Sequence, residues 1–154
     1  MKLTVLFGTE TGNSEVIAED LTEQLRATAH DVELLDLQDL DPATIRPDRF
    51  YVIVCSSHGD GGLPNSAIPF AEAFDANLPD LTGVRYAMFG LGDTFYSLTY
   101  SQGSEKIDRR LAAQGAVRVG EYGRHDASSW DIASDVALAW LPGIIAAAES
   151  SVEA

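Results

Sequence analysis

The sequence predicts an α/β domain in which five β-α units build one parallel sheet with helices on both faces. Short runs of β-branched and aromatic residues alternate with longer stretches in which apolar residues recur at helical spacing. The runs at 3–7 and 50–55 are apolar almost throughout, as expected of strands that are covered on both faces. With 154 residues and a hydrophobic content of 45%, the chain can bury the core of one such domain.

Each element has its own signal in the sequence. In the first helix, Ile17, Leu21 and Leu25 recur every four residues, and acidic residues occupy much of the remaining surface. Gly115 is a suitable C-terminal cap for the helix before it, because glycine adopts the left-handed conformation without strain. The predicted strands are 3–7, 31–37, 50–55, 85–91 and 116–122, and the predicted helices are 13–29, 68–77, 100–114 and 130–148.

Charge and cysteine usage argue against several classes of function. The chain has 10 Lys and Arg against 24 Asp and Glu, and this net charge of -14 repels nucleic-acid phosphates and anionic lipid headgroups. Cys55 is the only cysteine, so no internal disulfide and no cysteine-ligated zinc or iron–sulfur cluster can form within one chain. No stretch resembles a signal peptide or a membrane-spanning helix. We expect a soluble cytoplasmic protein with one domain, 1–149, and a tail, 150–154, that frays.

The loop between the first strand and the first helix has the composition of a phosphate site. It places hydroxyl and amide side chains where a helix N-terminus offers free N–H groups; its residues are Gly8, Thr9, Glu10, Thr11, Gly12, Asn13 and Ser14. The lysine of a Walker loop is absent, and the G-x-G-x-x-G pattern of dinucleotide sites is absent too. Neutral donors alone would hold the phosphate, which suits a group that does not react. The alternative is an ordinary β-α turn capped by Thr and Asn.

Two later loops combine glycines with flat side chains. They run over 56–64 and 90–97, after the third and fourth strands. In a parallel α/β sheet the ligand lies beyond the carboxyl ends of the strands, where both loops would meet the first one. His58, Phe95 and Tyr96 could stack on an aromatic ring system. The loops therefore predict a planar heteroaromatic ligand with a phosphate tail, and the alternative is that these rings only anchor the loops.

The three loops together resemble those of the flavodoxin family. Residues 9–14 match the pattern T-x-T-G-x-[ST], 56–61 resemble the second flavodoxin loop, and Phe89-Gly90-Leu91-Gly92-Asp93 with Tyr96 resembles the third. The likeness covers essentially the whole chain, and in detail it extends to MioC-like flavoproteins and to the FMN domains of cytochrome P450 and sulfite reductases. It implies a three-layer sandwich with strand order 2-1-3-4-5, one non-covalent FMN, and electron transfer without a substrate site of its own. The short 123–129 connection indicates a short-chain member.

The resemblance also assigns the cofactor-binding residues. The phosphate would be wrapped by Thr9, Glu10, Thr11, Gly12, Asn13 and Ser14, the inner side of the isoalloxazine would be lined by Ser56, Ser57, His58 and Gly59, and the outer side by Leu91, Gly92, Asp93, Tyr96 and Tyr100. Asp60, Gly61 and Phe95 are further predicted cofactor-binding residues. Tyr96 would be the outer stacking ring, and Asp126 is a further candidate on the ribityl side. By the same likeness, the Gly59-Asp60 peptide would turn its carbonyl toward N5 of the half-reduced flavin, and Gly59 would make that turn easy.

The acidic surface predicts both the redox potential and the partners. Carboxylates beside the flavin, namely Glu10, Asp60 and Asp93, should lower the reduction potential of the step that adds the second electron to FMN. We expect transient complexes with an NAD(P)H-dependent flavodoxin reductase and with acceptor proteins that carry basic docking patches. The alternatives are a MioC-like flavoprotein that serves a specific pathway enzyme, a flavin-dependent quinone reductase, and an interaction module without a cofactor. A two-component receiver domain is disfavoured, because Cys55-Ser56 stands where its phosphoacceptor Asp would be.

Overall fold

The elements of the chain alternate between parallel strands and helices. A computed structural model describes residues 1–9, 12–57, 62–92, 102–126 and 131–153. Of residues 151–153 it describes the backbone and not the side chains. The strands are β1 (Lys2–Gly8), β2 (Asp31–Asp36), β3 (Phe50–Ser56), β4 (Arg85–Gly92), β5 (Val117–Arg118) and β6 (Gly123–Asp126), and the helices are α1 (Asn13–Ala27), α2 (Ile68–Asn77), α3 (Gln102–Ala113) and α4 (Ala133–Glu153). Single 3-10 turns span Leu37–Asp39, Pro42–Thr44 and Asn65–Ala67.

The strand order is β2-β1-β3-β4-β5, with every pair parallel, and this confirms the predicted order 2-1-3-4-5. Because consecutive side chains of a strand point to opposite faces, the buried residues of the sheet divide into two cores. Val5 and Phe7 of β1 pack with apolar residues of α1 and α4. Leu6 packs on the other face with apolar residues of α2 and α3. The result is the predicted three-layer sandwich, whose topological switch point lies between β1 and β3.

The fifth position of the sheet differs from the prediction, because two short strands share it. We predicted one strand over 116–122 and a connection over 123–129, whereas both β5 and β6 pair in parallel with β4, and β6 begins where the connection was expected. Gly120 lies between them with a φ of 78°, which no extended strand adopts. A Cβ at Gly120 would lie 2.5 Å from Cδ1 of Ile144 in α4. The strand pairing with β4 is therefore interrupted where the chain approaches that helix.

The remaining boundaries follow the prediction closely. Gly115 has a φ of 102° and its N–H donates to the carbonyl of Ala112 (3.1 Å), which confirms it as the cap of α3. Helix α4 begins at Ala133 rather than at 130, a residue that the structure does not describe, and it extends to Glu153. The domain assignment 1–149 and the fraying of 150–154 stay predictions. Within the described ranges, no helix combines the length and the apolar character that crossing a membrane requires.

Candidate functional site

Three loop stems meet at the carboxyl edge of the sheet. The register pairs Gly8 of β1 with Cys55 of β3, and Ser56 of β3 with Leu91 of β4, so the three strands end at a similar height. The predicted site residues that the structure places there are Thr9, Gly12, Asn13, Ser14, Ser56, Ser57, Leu91 and Gly92. Glu10, Thr11, His58, Gly59, Asp60, Gly61, Asp93, Phe95, Tyr96 and Tyr100 lie outside the described residues. We call the described set the strand-end site.

The first loop is fixed by a reciprocal pair of hydrogen bonds to Ser66. The Thr9 N–H donates to Oγ of Ser66 (2.7 Å), and the Ser66 N–H donates to the Thr9 carbonyl (3.2 Å). Ser66 is 6% exposed and belongs to the 3-10 turn that precedes α2. The hydroxyl of Thr9 accepts a bond from the Gly12 N–H (2.7 Å), and a hydroxyl that accepts one N–H can still donate its own proton. The loop is thus held in shape while one of its hydroxyl protons remains available to a ligand.

The start of α1 has the properties of an anion site. Gly12 precedes the helix in the left-handed conformation, with a φ of 96°, and the Val16 N–H donates to its carbonyl (3.2 Å). The N–H groups of the first turn have no intrahelical acceptor, and the helix dipole favours negative charge beside them. Ser14 lies in this turn with 0% exposure, and its Oγ has no hydrogen-bond partner among the described residues. A buried hydroxyl without a partner costs about 1–3 kcal/mol, which an oxygen of a bound phosphate would offset.

The described start of the second loop is hydrogen-bonded to β1, β4 and α3. The Ser56 hydroxyl donates to the Gly8 carbonyl at 3.4 Å, and the Ser57 N–H donates to the Leu91 carbonyl at 3.0 Å. The Ser57 hydroxyl accepts a bond from the Gly103 N–H in the first turn of α3 (2.9 Å). The hydroxyl oxygen of Ser57 therefore accepts a bond from α3, a contact that no local motif around Ser57 predicts.

The third loop begins between β3 and β6. Leu91 is 8% exposed, and Gly92 pairs with Asp126 at the end of β6. The candidate Asp126 thus lies beside the stem of the third loop, at the same edge as the rest of the strand-end site. His125 pairs with Leu91, and its Nε2 donates to the Asp131 carbonyl (2.8 Å), since a carbonyl only accepts.

Cys55 lies below the site as part of the core. It is 0% exposed, and burial raises the pKa of its thiol to about 12. Only a thiolate attacks as a nucleophile, so Cys55 has no nucleophilic role at neutral pH. Cys55 therefore serves as a small apolar side chain of the core. Among the described residues, no three His, Cys, Asp or Glu side chains are grouped to hold a metal ion.

Sequence reasoning missed two residues that shape the site, Ser66 and Gly103. A serine just before a helix is usually a cap, and this local signal concealed the bonds of Ser66 to Thr9, 57 residues away. Gly103 lies inside the predicted helix 100–114, where a glycine is unfavourable. That unfavourable choice was a usable signal, because a Cβ there would lie 2.5 Å from the Ser56 carbonyl oxygen.

Comparison with known proteins gives close relatives of the whole chain. The family model for flavodoxins matches residues 5–140. Protein MioC of Escherichia coli (strain K12) is 32% identical over 142 residues, which cover 90% of this chain and 92% of that protein. The mitochondrial pyruvate dehydrogenase (NADP(+)) of Euglena gracilis is 34% identical over 144 residues, but these cover 92% of this chain and only 8% of that protein. A cysteine-to-serine mutant of flavodoxin from Pseudomonas aeruginosa has a TM-score of 0.84 at 29% identity, covering 96% of this chain and 98% of that one.

Proposed function

Because the chain belongs to the flavodoxin family of flavin-dependent electron carriers, we propose that it binds one FMN at the strand-end site and passes electrons between partner proteins. The observation that supports FMN most directly is the buried hydroxyl of Ser14 in the first turn of α1, which has no hydrogen-bond partner among the described residues. Ser14 ends the sequence motif that resembles the flavodoxin phosphate loop. When bound, FMN supplies one- and two-electron redox chemistry that no amino-acid side chain here provides.

The phosphate of FMN would be held by Thr9, Asn13 and Ser14 together with the N–H groups of the first turn of α1. The sequence has no Lys or Arg between Lys2 and Arg26, so these donors are neutral. The charge of the phosphate would then remain largely uncompensated close to the flavin. Together with Glu10, Asp60 and Asp93, it would raise the free energy of adding the last electron. A low potential is therefore part of the proposal.

The flavin ring would lie against the stems of the second and third loops. Ser57 and Leu91 hold these two stems together through one backbone hydrogen bond. Gly92 and the end of β6 continue the same edge toward Asp126. The side chains predicted to flank the ring, above all Tyr96, belong to the undescribed residues, and their contacts with the ring remain predictions.

The partners would be an NAD(P)H-dependent flavodoxin reductase and acceptor proteins with basic docking patches. This rests on the net charge of -14, since complementary charge speeds the encounter of two proteins. The likeness to protein MioC covers nearly the full length of that protein. An acceptor that belongs to one specific pathway is therefore compatible with the proposal. We propose a carrier without a substrate site of its own, rather than a quinone reductase. The cytoplasmic location stays a prediction from the sequence.

Titration of the flavin-free protein with FMN tests the cofactor. We expect one FMN per chain, with a shift of the visible flavin bands and a loss of flavin fluorescence. Ser14→Ala should weaken FMN binding by about ten- to a hundredfold, the equivalent of a hydrogen bond to a charged group. The same change should leave the flavin-free protein as stable as before or more stable, because it removes an unpartnered hydroxyl.

The exposed Ser150 in α4 provides a matched control, and Ser150→Ala should change neither quantity. Absence of any spectral change with the wild-type protein would contradict the cofactor assignment. Unchanged affinity in Ser14→Ala would contradict the phosphate position alone. For the partners, we expect the rate of reduction by a flavodoxin reductase to fall as salt is added, and a rate independent of salt would argue against charge-guided docking.

A further inference from the structure

We infer that Ser57 is a positioning residue that fixes both ends of the third loop, and that it acts on the flavin through these two bonds. The third loop joins Gly92, the last residue of β4, to Gln102, the first residue of α3. Ser57 bonds to a neighbour of each of these residues, Leu91 on one side and Gly103 on the other. The effect of this arrangement on FMN rests on the proposed function, but the arrangement itself does not.

At the strand end, Ser57 extends the pairing of β3 and β4 by one residue. The paired residues of the two strands end with Ser56 and Leu91, and the Ser57 N–H donates to the Leu91 carbonyl at 3.0 Å. The accepting residue, Leu91, is only 8% exposed. Ser57 therefore determines where the chain departs from β4.

At the helix end, the hydroxyl of Ser57 acts as a cap supplied by another part of the chain. The N–H groups in the first turn of a helix need acceptors, and these usually come from the residue just before the helix. The Gly103 N–H instead donates to Oγ of Ser57 at 2.9 Å, across 46 residues of sequence. A Cβ at Gly103 would lie 2.5 Å from the Ser56 carbonyl oxygen and 2.7 Å from Cα of Ser57. The helix can approach this closely only because residue 103 is glycine.

The next residue of α3 is held by a second contact. The hydroxyls of Ser104 and Tyr122 form a hydrogen bond, and Ser104 is 0% exposed. Two guanidinium groups lie over the ring of Tyr122, with Cζ of Arg124 4.0 Å and Cζ of Arg118 4.9 Å from its centroid. Arg124 in turn pairs with Glu105 of α3 at 3.0 Å. The first turn of α3 is thus held by hydrogen bonds to both Ser57 and Tyr122.

A direct test of the bond between Ser57 and Gly103 needs no flavin. Amide hydrogen exchange, resolved by NMR in the flavin-free protein, reports whether the Gly103 N–H is bonded. Ser57→Ala should speed exchange at Gly103 by about three- to tenfold, the equivalent of one neutral hydrogen bond. Ser57→Thr, which keeps the hydroxyl, should restore slow exchange. Ser56→Ala is the matched control, because the Ser56 hydroxyl bonds to Gly8 and not to α3. Unchanged exchange at Gly103 in Ser57→Ala would overturn the inference.

A thermodynamic cycle on FMN affinity separates positioning from direct contact. Tyr122→Phe removes the bond to Ser104 and keeps an aromatic ring beside the two guanidinium groups. If Ser57 acts through the first turn of α3, either change releases the same turn, so the double variant should lose less affinity than the product of the single losses. Additive losses would show that the Ser57 hydroxyl acts on FMN independently, which refutes the inference. Failure of the wild-type protein to bind FMN would refute the proposed function. The exchange experiment would still show whether Ser57 holds the first turn of α3.

Discussion

Replacing Gly103 by alanine tests how closely α3 must approach the second loop. The added Cβ would lie 2.5 Å from the Ser56 carbonyl oxygen and 2.7 Å from Cα of Ser57, and neither backbone atom can rotate away. Overpacking of this kind costs typically about 1–3 kcal/mol. A helical Gly→Ala change by itself gains about 1 kcal/mol, but the displaced helix also loses the bond to Ser57, which is worth a similar amount. The two smaller effects offset one another, so the free energy of unfolding should fall by about 1–3 kcal/mol.

The chain offers a matched control in Gly143, a helical glycine of α4 whose added Cβ would meet nothing within 4 Å. Gly143→Ala should therefore stabilise the protein by up to about 1 kcal/mol. Urea denaturation of the flavin-free variants measures the free energy of unfolding in both cases. In thermal unfolding, the Tm values of the two variants should move in opposite directions by roughly 2–4 °C per kcal/mol. FMN affinity should fall in Gly103→Ala and stay constant in Gly143→Ala. If Gly103→Ala were as stable as the wild type, or if both variants lost stability equally, the close approach would not be what requires glycine at 103.

Three further outcomes follow from single residues. Gly12→Ala should lower the free energy of unfolding by about 1–2 kcal/mol in urea denaturation, because a φ of 96° strains any residue with a Cβ. No described atom lies within 4 Å of the added Cβ, so the loss would come from the backbone alone. A loss below about 0.5 kcal/mol would contradict this. Cys55, with a pKa of about 12, should resist Ellman's reagent at pH 8 in the native protein and react upon unfolding, and rapid native labelling would show that the thiol is accessible. Burial raises the pKa of Tyr51 and Tyr86 above the usual 10, so the native state keeps protons that the unfolded state releases, and the free energy of unfolding should fall as the pH rises above about 10. Phenolate absorbance that shows every tyrosine ionising near pH 10 before unfolding would refute the last expectation.

Features with local signals were predictable from the sequence. Helix α2 has the predicted ends, and Pro69 lies in its first turn, where proline is favoured. Gly115 caps α3 because the cap depends only on the backbone conformation of that residue. The strand order was also available, although through the resemblance of three loop motifs and not through periodicity.

Features that depend on distant contacts were not predictable in the same way. The interruption of the fifth strand at Gly120 depends on its contact with Ile144 in α4. The bonds of Ser57 to Gly103 and of Thr9 to Ser66 span 46 and 57 residues. Hydrophobic periodicity shows which side of an element is buried, but it does not show which polar groups of two elements meet. The meeting of the three loop stems at one edge of the sheet could therefore be predicted, while the contacts that give these stems their shape could not.

The divided fifth strand also protects the edge of the sheet. An edge strand carries unpaired N–H and C=O groups to which a strand of another molecule can add, and the risk of aggregation grows with the length of a flat edge. In the described chain this edge consists of two residues, Val117–Arg118, and four residues, Gly123–Asp126, with the left-handed Gly120 between them. Each piece contains an arginine, Arg118 or Arg124, and charged side chains further oppose strand addition. The same interruption that brings β6 to the candidate site thus breaks the backbone groups of this edge into two short pieces, whereas β2 at the other edge is one strand of six residues.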